Sequence, residues 1–460
     1  MRLYYKYVES QRSEADKGIS LNACWNKNQP INNGGEGMEN QNRGWIVTWC
    51  AVEINLMCGM LYSWSVFAAS LVKDLGFTKT EASIPFTIAL GMLALLAIPG
   101  GRIQDRYGPR VCTSIGGVLA GGGLIIAGFT DSLIMFALAF GVITGSGIGL
   151  GYGATTPAAV KWFPPQKRGL ISGLVVGGVG LASVYVAPMT QYFINNYGVK
   201  KAFWIEGVIF LTLIMILAQF LSSPPAGYTP KGMPAPAPGS SSKPKREYSP
   251  GEMIATYQFW LIWLMYACGA LAGLMIIGHM AIIAKVQANI GWAFVFVAIL
   301  AIFNAGGRIM GGFLSDKMGR TKALIAMFTL QGINMMLFSG YTNSTLLTIG
   351  IAVTGIGYGS LLSIFPALTF DYYGMKNGGV NYGVVFTSWG VAGIIGPVMA
   401  GRIVDLTKSY HTAYMVAAGL CVVSIILAML IRPLKAVEGS ESLAPEQKDI
   451  MCINKLGQES

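Results

Sequence analysis

The sequence is poor in charge. Only 12% of its 460 residues are Asp, Glu, Lys or Arg, whereas soluble domains carry about 25%. Histidine occurs twice, and the seven cysteines include no CxxC pair, so neither a metal site nor a disulfide framework is expected. No Walker sequence and no catalytic constellation occur, which argues against an ATP-driven pump, an enzyme or a bound cofactor.

The stretches without charged residues are long apolar segments. Twelve of them have the length that crosses a bilayer. We therefore predict an all-α integral membrane protein with twelve transmembrane helices. The net charge of +11 does not indicate nucleic acid, because the basic residues lie between the apolar runs and form no single patch. The runs lie near 45–71, 82–99, 111–129, 132–154, 168–194, 201–221, 257–283, 291–314, 323–340, 343–368, 380–404 and 411–432.

The polar segments divide these runs into two sets of six. Residues 222–256 are rich in Pro, Gly and Ser, which is typical of a flexible linker. We expect six-helix bundles over 45–221 and 257–432. Residues 1–44 have no apolar core of the kind a signal peptide needs. Together with 433–460 they are expected to form disordered cytoplasmic tails.

The two halves repeat each other in sequence. Gly100–Gly108 matches Gly311–Gly319 in its glycines, acid and base, and Gly149–Gly153 matches Gly355–Gly359. Two independent matches at nearly one offset indicate a duplication. The fold class expected is therefore two six-helix pseudo-repeats. Secondary transporters built from parallel repeats bind substrate between the halves, near the middle of the membrane.

The distribution of Lys and Arg predicts the orientation. The loops after the even-numbered runs, such as 101–110 and 312–322, carry more basic residues than the loops on the opposite side. Such loops remain in the cytoplasm. Both termini are expected there too, in a multi-pass protein of the plasma or inner membrane that functions as a monomer.

Arg308 is the residue that points most directly to a function. It precedes the charged cluster that begins at Asp316 by eight positions, which places it about 12 Å from the polar edge of a core about 30 Å thick. A charge there costs about 2.5–3.5 kcal/mol or more unless it faces protein or water. Arg308 therefore indicates an anion site. Asn304 lies four residues earlier on the same helix face and can orient it.

The loop from Gly101 to Arg110 resembles the signature loop of the major facilitator superfamily. A weaker copy runs from Gly312 to Lys322, after the eighth run, where that superfamily repeats the signature. The resemblance covers about 45–432 and implies a conformational latch, in which acid and base side chains act at helix ends. The latch residues it implies are Gly101, Asp105, Arg106, Gly108, Arg110, Asp316, Lys317 and Gly319.

A finer resemblance points to the oxalate/formate antiporter family and its monocarboxylate-carrying relatives. In that family an arginine at the position of Arg308 binds substrate, which implies the same role here. The phrases that resemble the family are Leu61–Trp64, Trp162–Pro164 with Lys167–Gly169, Pro224–Tyr228, Asn381–Gly383 and Phe386–Gly390.

Three positions depart from these families. Trp389 stands where oxalate carriers have a second cation, a lysine, and Leu61 stands where they have a glutamine. A single full positive charge suits one carboxylate better than two. Asn304 stands where eukaryotic-type monocarboxylate carriers have an acid, so it cannot carry a proton.

Aromatic side chains are the remaining candidates for the substrate site. Tyr62, Tyr152 and Tyr358 can donate hydroxyl hydrogen bonds to a carboxylate, and Tyr152 and Tyr358 occupy matched positions in the two repeats. Phe386 and Trp389, three residues apart, would form an apolar wall. Packing within the bundle is the alternative interpretation for all five.

Two embedded residues could carry a coupling proton. An unperturbed imidazole titrates near neutral pH, at about 6.5, which makes His279 one candidate. Glu53 is the other, and it is expected to face the bundle because a lipid-facing acid is costly. Structural hydrogen bonding is the alternative for both.

The sequence thus predicts a secondary-active carrier of small monocarboxylates such as lactate, pyruvate or formate. Its coupling is either proton symport or anion exchange. Its expected partners are the carboxylate, protons and the lipid bilayer, without nucleic acid or metal. An oxalate:formate-type dicarboxylate antiporter and a membrane carboxylate sensor that does not transport remain the alternatives.

Overall fold

A computed structural model describes residues 35–225, 227–230, 247–277, 279–288, 294–407, 409–432 and 434 of the chain. These residues form sixteen α-helices, and twelve helical stretches among them are long and apolar enough to cross a membrane. The helices are α1 (Gly35–Cys58), α2 (Trp64–Asp74), α3 (Lys79–Tyr107), α4 (Pro109–Ala127), α5 (Leu133–Phe136), α6 (Gly145–Val160), α7 (Arg168–Tyr197), α8 (Val199–Ala218), α9 (Pro250–Ile254), α10 (Tyr257–Ile277), α11 (Met280–Ala288), α12 (Phe294–Met318), α13 (Arg320–Leu337), α14 (Ser344–Tyr373), α15 (Gly378–Thr407) and α16 (Tyr410–Leu430).

The predicted fold class is confirmed. The first six spans are α1 with α2, α3, α4, α5 with α6, α7, and α8. The last six are α10, α12, α13, α14, α15 and α16. A 3₁₀ turn, Gly59–Ser63, interrupts the first span, and a π-helical segment, Ala137–Thr144, joins α5 to α6.

Two helices extend into segments that were predicted to be a tail and a linker. Helix α1 begins at Gly35, so the end of the segment expected to be a disordered tail is helical. The end of the predicted linker also has structure, because Ser249 and Glu252 form a reciprocal capping box at the start of α9. Residues 1–34, 231–246 and 435–460, on which the remaining tail and linker predictions fall, lie outside the described residues.

The two halves meet along two helix pairs. Helix α12 packs against α14 in its own half and against α7 of the first half, while α15 packs against α3. The pairs α7–α12 and α3–α15 are equivalent under the sequence repeat. They bring Arg308, on α12, to the surface where the halves meet.

Glycines allow both pairs to approach closely near the signature loops. A Cβ at Gly312 on α12 would lie 2.1 Å from the carbonyl oxygen of Gly169 on α7. A Cβ at Gly101 on α3 would lie 2.2 Å from the Gly379 carbonyl on α15. Glycine is therefore required at these positions, where the backbones of the two halves touch, as in other helix contacts made by small residues within membranes. We call this region the signature-loop end of the protein.

Replacing Gly312 by alanine should loosen this contact. The added methyl group meets backbone that cannot move aside alone, and overpacking of this kind costs about 1–3 kcal/mol. We expect the Gly312→Ala variant in detergent to unfold at a lower temperature than the parent protein, measured by tryptophan fluorescence. Gly306→Ala is the matched control, because Gly306 lies on the same helix with no atom within 4 Å of an added Cβ. Equal unfolding temperatures for both variants would contradict the packing described here.

Candidate functional site

Arg308 is buried at the interface of the two halves. Its side chain is 3% exposed, and its Nε donates to Asn304 Oδ1 at 3.0 Å. One terminal nitrogen donates to the carbonyl oxygen of Val176, on α7 of the other half, at 2.6 Å. Among the described residues no carboxylate lies within ion-pair distance of the guanidinium. A buried cation without a counterion is strongly destabilising unless an anion completes the site.

A cavity opens beside this guanidinium. Its wall takes residues from both halves and is otherwise almost entirely apolar. Arg308 is the one ionised side chain among its lining residues as the structure describes them. The lining comprises Cys58, Gly59, Leu61, Phe86, Leu90, Leu93, Ile148, Tyr152, Val179, Arg308, Leu362, Phe386 and Trp389.

Aromatic side chains form the wall next to Arg308. Phe386 and Trp389 stack with their ring centroids 4.9 Å apart, and Tyr152 of the other half lies 4.8 Å from Phe386. Trp389 Nε1 donates to the hydroxyl of Tyr358 at 2.7 Å. Tyr358 therefore holds Trp389 in place, while Tyr152, Phe386 and Trp389 line the cavity.

The other predicted site residues have different surroundings. Leu61 lines the cavity from the 3₁₀ turn that interrupts the first span. Asn304 contacts Arg308 and does not belong to the lining. The side chain of Tyr62 lies outside the described part of the structure.

Two tyrosines of the site were missed in the sequence. Tyr382 on α15 is 1% exposed and its hydroxyl interacts with those of Tyr152 and Tyr266. Tyr266 on α10 is fully buried and interacts electrostatically with Arg308 and Tyr358. Tyr382 lies in the family phrase Asn381–Gly383, but that phrase gave it no role. Tyr266 sits in an apolar run where a tyrosine has no distinguishing spacing, so no sequence signal separated it from packing residues.

The acids of both signature loops bind backbone amides of the opposite half. Asp316 accepts from the N–H groups of Gly169 and Leu170, at 2.9 and 2.7 Å, at the start of α7. Asp105 accepts from the Val380 N–H at 3.0 Å, at the start of α15. A carboxylate at a helix N-terminus satisfies free donors and interacts favourably with the helix dipole. The two contacts are equivalent under the repeat and close the signature-loop end.

Ion pairs reinforce this closure. Lys161 pairs with Asp105 at 3.2 Å. Asp371, on α14, pairs with Arg168 of the first half at 2.9 Å and with Arg320 at 2.8 Å. Of these five residues only Asp105 was assigned to the latch from the sequence. Lys161, Arg168 and Arg320 were treated as basic residues of loops, and Asp371 was missed.

The bases named in the predicted latch lie elsewhere. Arg106 lies over the Tyr107 ring, Lys317 over the Phe313 ring, and Arg110 is exposed. None of the three makes a contact between halves in the described part of the chain. Gly108 and Gly319 adopt positive φ angles of 88° and 90°, which lets the chain turn between consecutive helices. The residues of the predicted latch therefore have three roles. Gly108 and Gly319 turn the chain, Asp105 and Asp316 bridge the halves, and Arg106, Arg110 and Lys317 remain in solvent.

Neither proton candidate reaches the cavity. His279 Nε2 donates to the Pro397 carbonyl at 3.0 Å, and Nδ1 lies 3.2 Å from the Tyr410 hydroxyl. These bonds tie the turn between α10 and α11 to α15 and α16.

Glu53 is exposed on the helix face that carries Ile46 and Trp49, so the expectation that it faces the bundle was wrong. Val47, Ile54 and their neighbours on the opposite face make the packing contacts instead.

The fold and the site together define a polytopic membrane protein with a largely apolar cavity between two repeated halves, beside one buried arginine. The Major Facilitator Superfamily matches residues 54–333 and 287–455, which covers most of the chain, and the protein belongs to that superfamily. It is thus a transporter of the major facilitator type.

Relatives by sequence include carriers of organic anions. The MFS-type transporter YhjX of Escherichia coli (strain K12) is 28% identical over 77% of this chain and 87% of its own. The oxalate:formate antiporter of Oxalobacter formigenes is 27% identical over 87% and 96%. Monocarboxylate transporter 13 of Rattus norvegicus is 26% identical over 81% and 85%.

Solved structures share the fold at lower identity. The proton:xylose symporter XylE superimposes with a TM-score of 0.65 at 13% identity, over 85% of this chain and 96% of that one. The transporter FucP, in its outward conformation, gives a TM-score of 0.62 at 14% identity, over 82% and 97%. At these identities the likeness concerns the fold alone.

Proposed function

We propose that the protein is a secondary-active transporter of small monocarboxylates of the lactate, pyruvate or formate type. The observation that carries this proposal is the state of Arg308, a buried cation with no carboxylate partner in the described structure, at a cavity between the halves. The site lacks one negative charge, and a substrate carboxylate supplies it.

The composition of the cavity favours one carboxylate over two. A second carboxylate would need a second cation or several donors, because an unpaired charge in a low-dielectric site is costly. The rest of the lining is apolar or aromatic apart from the Tyr152 hydroxyl and the Cys58 thiol. A short aliphatic group fits against Phe386 and Trp389, with its carboxylate toward Arg308.

Binding would exchange one hydrogen-bond acceptor for another. In this structure Arg308 gives one bond to the Val176 carbonyl and one to Asn304. A carboxylate takes the place of Val176 and accepts two parallel N–H bonds from the guanidinium, while Asn304 keeps the Nε–H oriented. Charge-assisted bidentate bonds of this kind are stronger than the bond to a neutral carbonyl. Substrate thereby weakens a contact between α12 and α7.

This exchange suits alternating access. We place the signature-loop end in the cytoplasm, in agreement with the basic loops, so the state described is closed to the cytoplasm by Asp105 and Asp316. Substrate then enters from the opposite side. Loss of the Arg308–Val176 bond allows α7 and α12 to move relative to each other, and the latch must open for release.

Transport assays in proteoliposomes test this function. Purified protein should take up radiolabelled lactate, pyruvate or formate, and unlabelled monocarboxylate should compete. Preferential uptake of oxalate in exchange for internal formate would establish the dicarboxylate antiporter instead. Binding of lactate without uptake under either a proton gradient or an anion gradient would identify a sensor and contradict the proposal.

Arg308→Lys should impair transport although it keeps the charge. An ammonium group cannot present two parallel donors to a carboxylate, and loss of a charge-assisted bond costs about 1.5–3 kcal/mol. We expect the apparent affinity for lactate to fall about ten- to hundredfold. The matched control is Arg402→Lys, at an exposed position of α15, which should transport as the parent does. A lysine variant with the parental rate and affinity would rule out this role for Arg308.

Trp389→Lys should change the selectivity. The new ammonium would lie in the wall that faces Arg308 and supply a second cation. We therefore expect the ratio of lactate to oxalate uptake to decrease, measured side by side on purified protein. Trp389→Leu serves as a control for the loss of the ring and of its bond to Tyr358. An unchanged ratio in the lysine variant would show that Trp389 does not determine selectivity.

A further inference from the structure

Glu206 is a carboxyl group enclosed within the first half. It lies on α8 and is 0% exposed. Its Oε1 makes a short hydrogen bond with the hydroxyl of Thr190, on α7. Its Oε2 is buried and has no hydrogen-bond partner in the described structure. A buried carboxylate with an unsatisfied oxygen carries a large desolvation cost.

The hydrogen bonds around Thr190 favour a neutral acid. The Thr190 hydroxyl lies 2.9 Å from the Val186 carbonyl oxygen as well as beside Glu206. A hydroxyl has one hydrogen to donate, and the carbonyl can only accept. If Glu206 were ionised, one of the two acceptors would have no donor. If Glu206 is protonated, it donates to Thr190, and Thr190 donates to Val186, so every hydrogen is used.

No charged partner compensates an ionised Glu206. Among the described residues no Lys, Arg or His lies within ion-pair distance of it. Helix α4 presents Gly121 and Ile125 beside the neighbouring Gly207, and α2 presents the ring of Phe67 to Phe203. From α7 the facing groups are Thr190 and the hydroxyl of Tyr185, which interacts electrostatically with Glu206.

Tyr185 lies near both this carboxyl group and a residue of the cavity wall. The same hydroxyl donates to the Leu56 carbonyl at 3.2 Å and interacts with Cys58, which lines the cavity. Glu53 also acts on Tyr185, and it is the remaining charged group near this hydroxyl. The Tyr185 hydroxyl is thus within electrostatic range of both Glu206 and the cavity residue Cys58.

Helix α7 joins the two sites mechanically. It carries Val176, the partner of Arg308, and fourteen residues further on Thr190, the partner of Glu206. Pro188 lies between them inside the helix, where proline removes a backbone hydrogen bond and permits bending. Movement of α7 after Arg308 releases Val176 will therefore change the surroundings of Glu206.

We propose that Glu206 is a proton-binding site and that α7 couples its protonation to occupation of the carboxylate site at Arg308. The inference rests on the proposed function. In the state described, Glu206 holds the proton as a neutral acid. When α7 moves, water in the cavity reaches the carboxyl, its O–H bond breaks, and the proton leaves through the cavity to the same side as the substrate anion. One proton accompanies one monocarboxylate, so each cycle is electroneutral.

Glu206→Gln tests this proposal, because glutamine keeps the shape and can never release a proton. In proteoliposomes with an inward proton gradient and no internal anion, the parent should accumulate lactate. The variant should accumulate at least tenfold less lactate than the parent, yet continue to exchange external for internal lactate. Asp74→Asn, an acid-to-amide change at an exposed position at the end of α2 in the same half, is the matched control and should accumulate as the parent does.

The outcomes separate the two proposals. No lactate transport of any kind by the parent contradicts the proposed function. Three other results overturn the role of Glu206. The parent exchanges lactate but does not accumulate it under a proton gradient; the Glu206→Gln variant accumulates lactate as well as the parent does; or the Glu206→Gln variant loses lactate exchange as well as accumulation. Thr190→Val provides a second variant that keeps the acid, and it should displace the pH dependence of accumulation; an unchanged pH profile also overturns the proposal.

An infrared measurement tests protonation without transport. The carbonyl stretch of a protonated carboxyl group is well separated from that of a carboxylate. Detergent-solubilised parent protein at neutral pH should show a protonated band that the Glu206→Gln variant lacks. Identical spectra in this region would show that Glu206 is ionised and would contradict the inference.

Discussion

The cost of a single positive charge inside the membrane determines how this protein is organised. Arg308 lies within a transmembrane helix, where an unpaired charge is stable only in contact with protein or water. Here it has one amide and one backbone carbonyl as partners and no acid in the described residues. The halves of the protein therefore meet around it, and in the proposed function a substrate carboxylate supplies the negative charge that the described residues do not.

The same partner that stabilises Arg308 joins the halves. The Val176 carbonyl belongs to α7, and the start of that helix is held by Asp316 at the signature-loop end. An anion that replaces Val176 acts on the helix whose N-terminus forms the latch. In the proposed function substrate binding and closure are connected through this one helix, and the repeat supplies a second, equivalent contact at Asp105 and Val380. This arrangement explains why a local exchange of hydrogen bonds can bias a movement of whole bundles.

Much of the fold could be predicted because its signals are local. Apolar length specifies the spans, and the repeated Gly-rich phrases specify the halves. Arg308 and Asn304 were recognised from their depth and their spacing of four residues. The contact of Trp162 with Tyr228, 5.3 Å between ring centroids, also gives a structural reason for two of the family phrases.

The remaining residues depend on tertiary contacts that no local pattern encodes. Glu206 was overlooked because a single acid near a helix end reads as an interfacial residue, and only packing against Thr190 encloses it. Glu53 was misplaced for the opposite reason, since depth alone does not specify which face of a helix is covered. Tyr266, Tyr382 and Asp371 likewise acquire their roles from neighbours far apart in sequence.

A structure of the protein with bound lactate tests the central claim most directly. The account predicts the carboxylate at hydrogen-bond distance from two nitrogens of Arg308, with the Val176 carbonyl displaced and Asn304 still bound to Nε. The methyl group should lie against Phe386 and Trp389. Lactate bound elsewhere, with the Arg308–Val176 hydrogen bond intact, would contradict it.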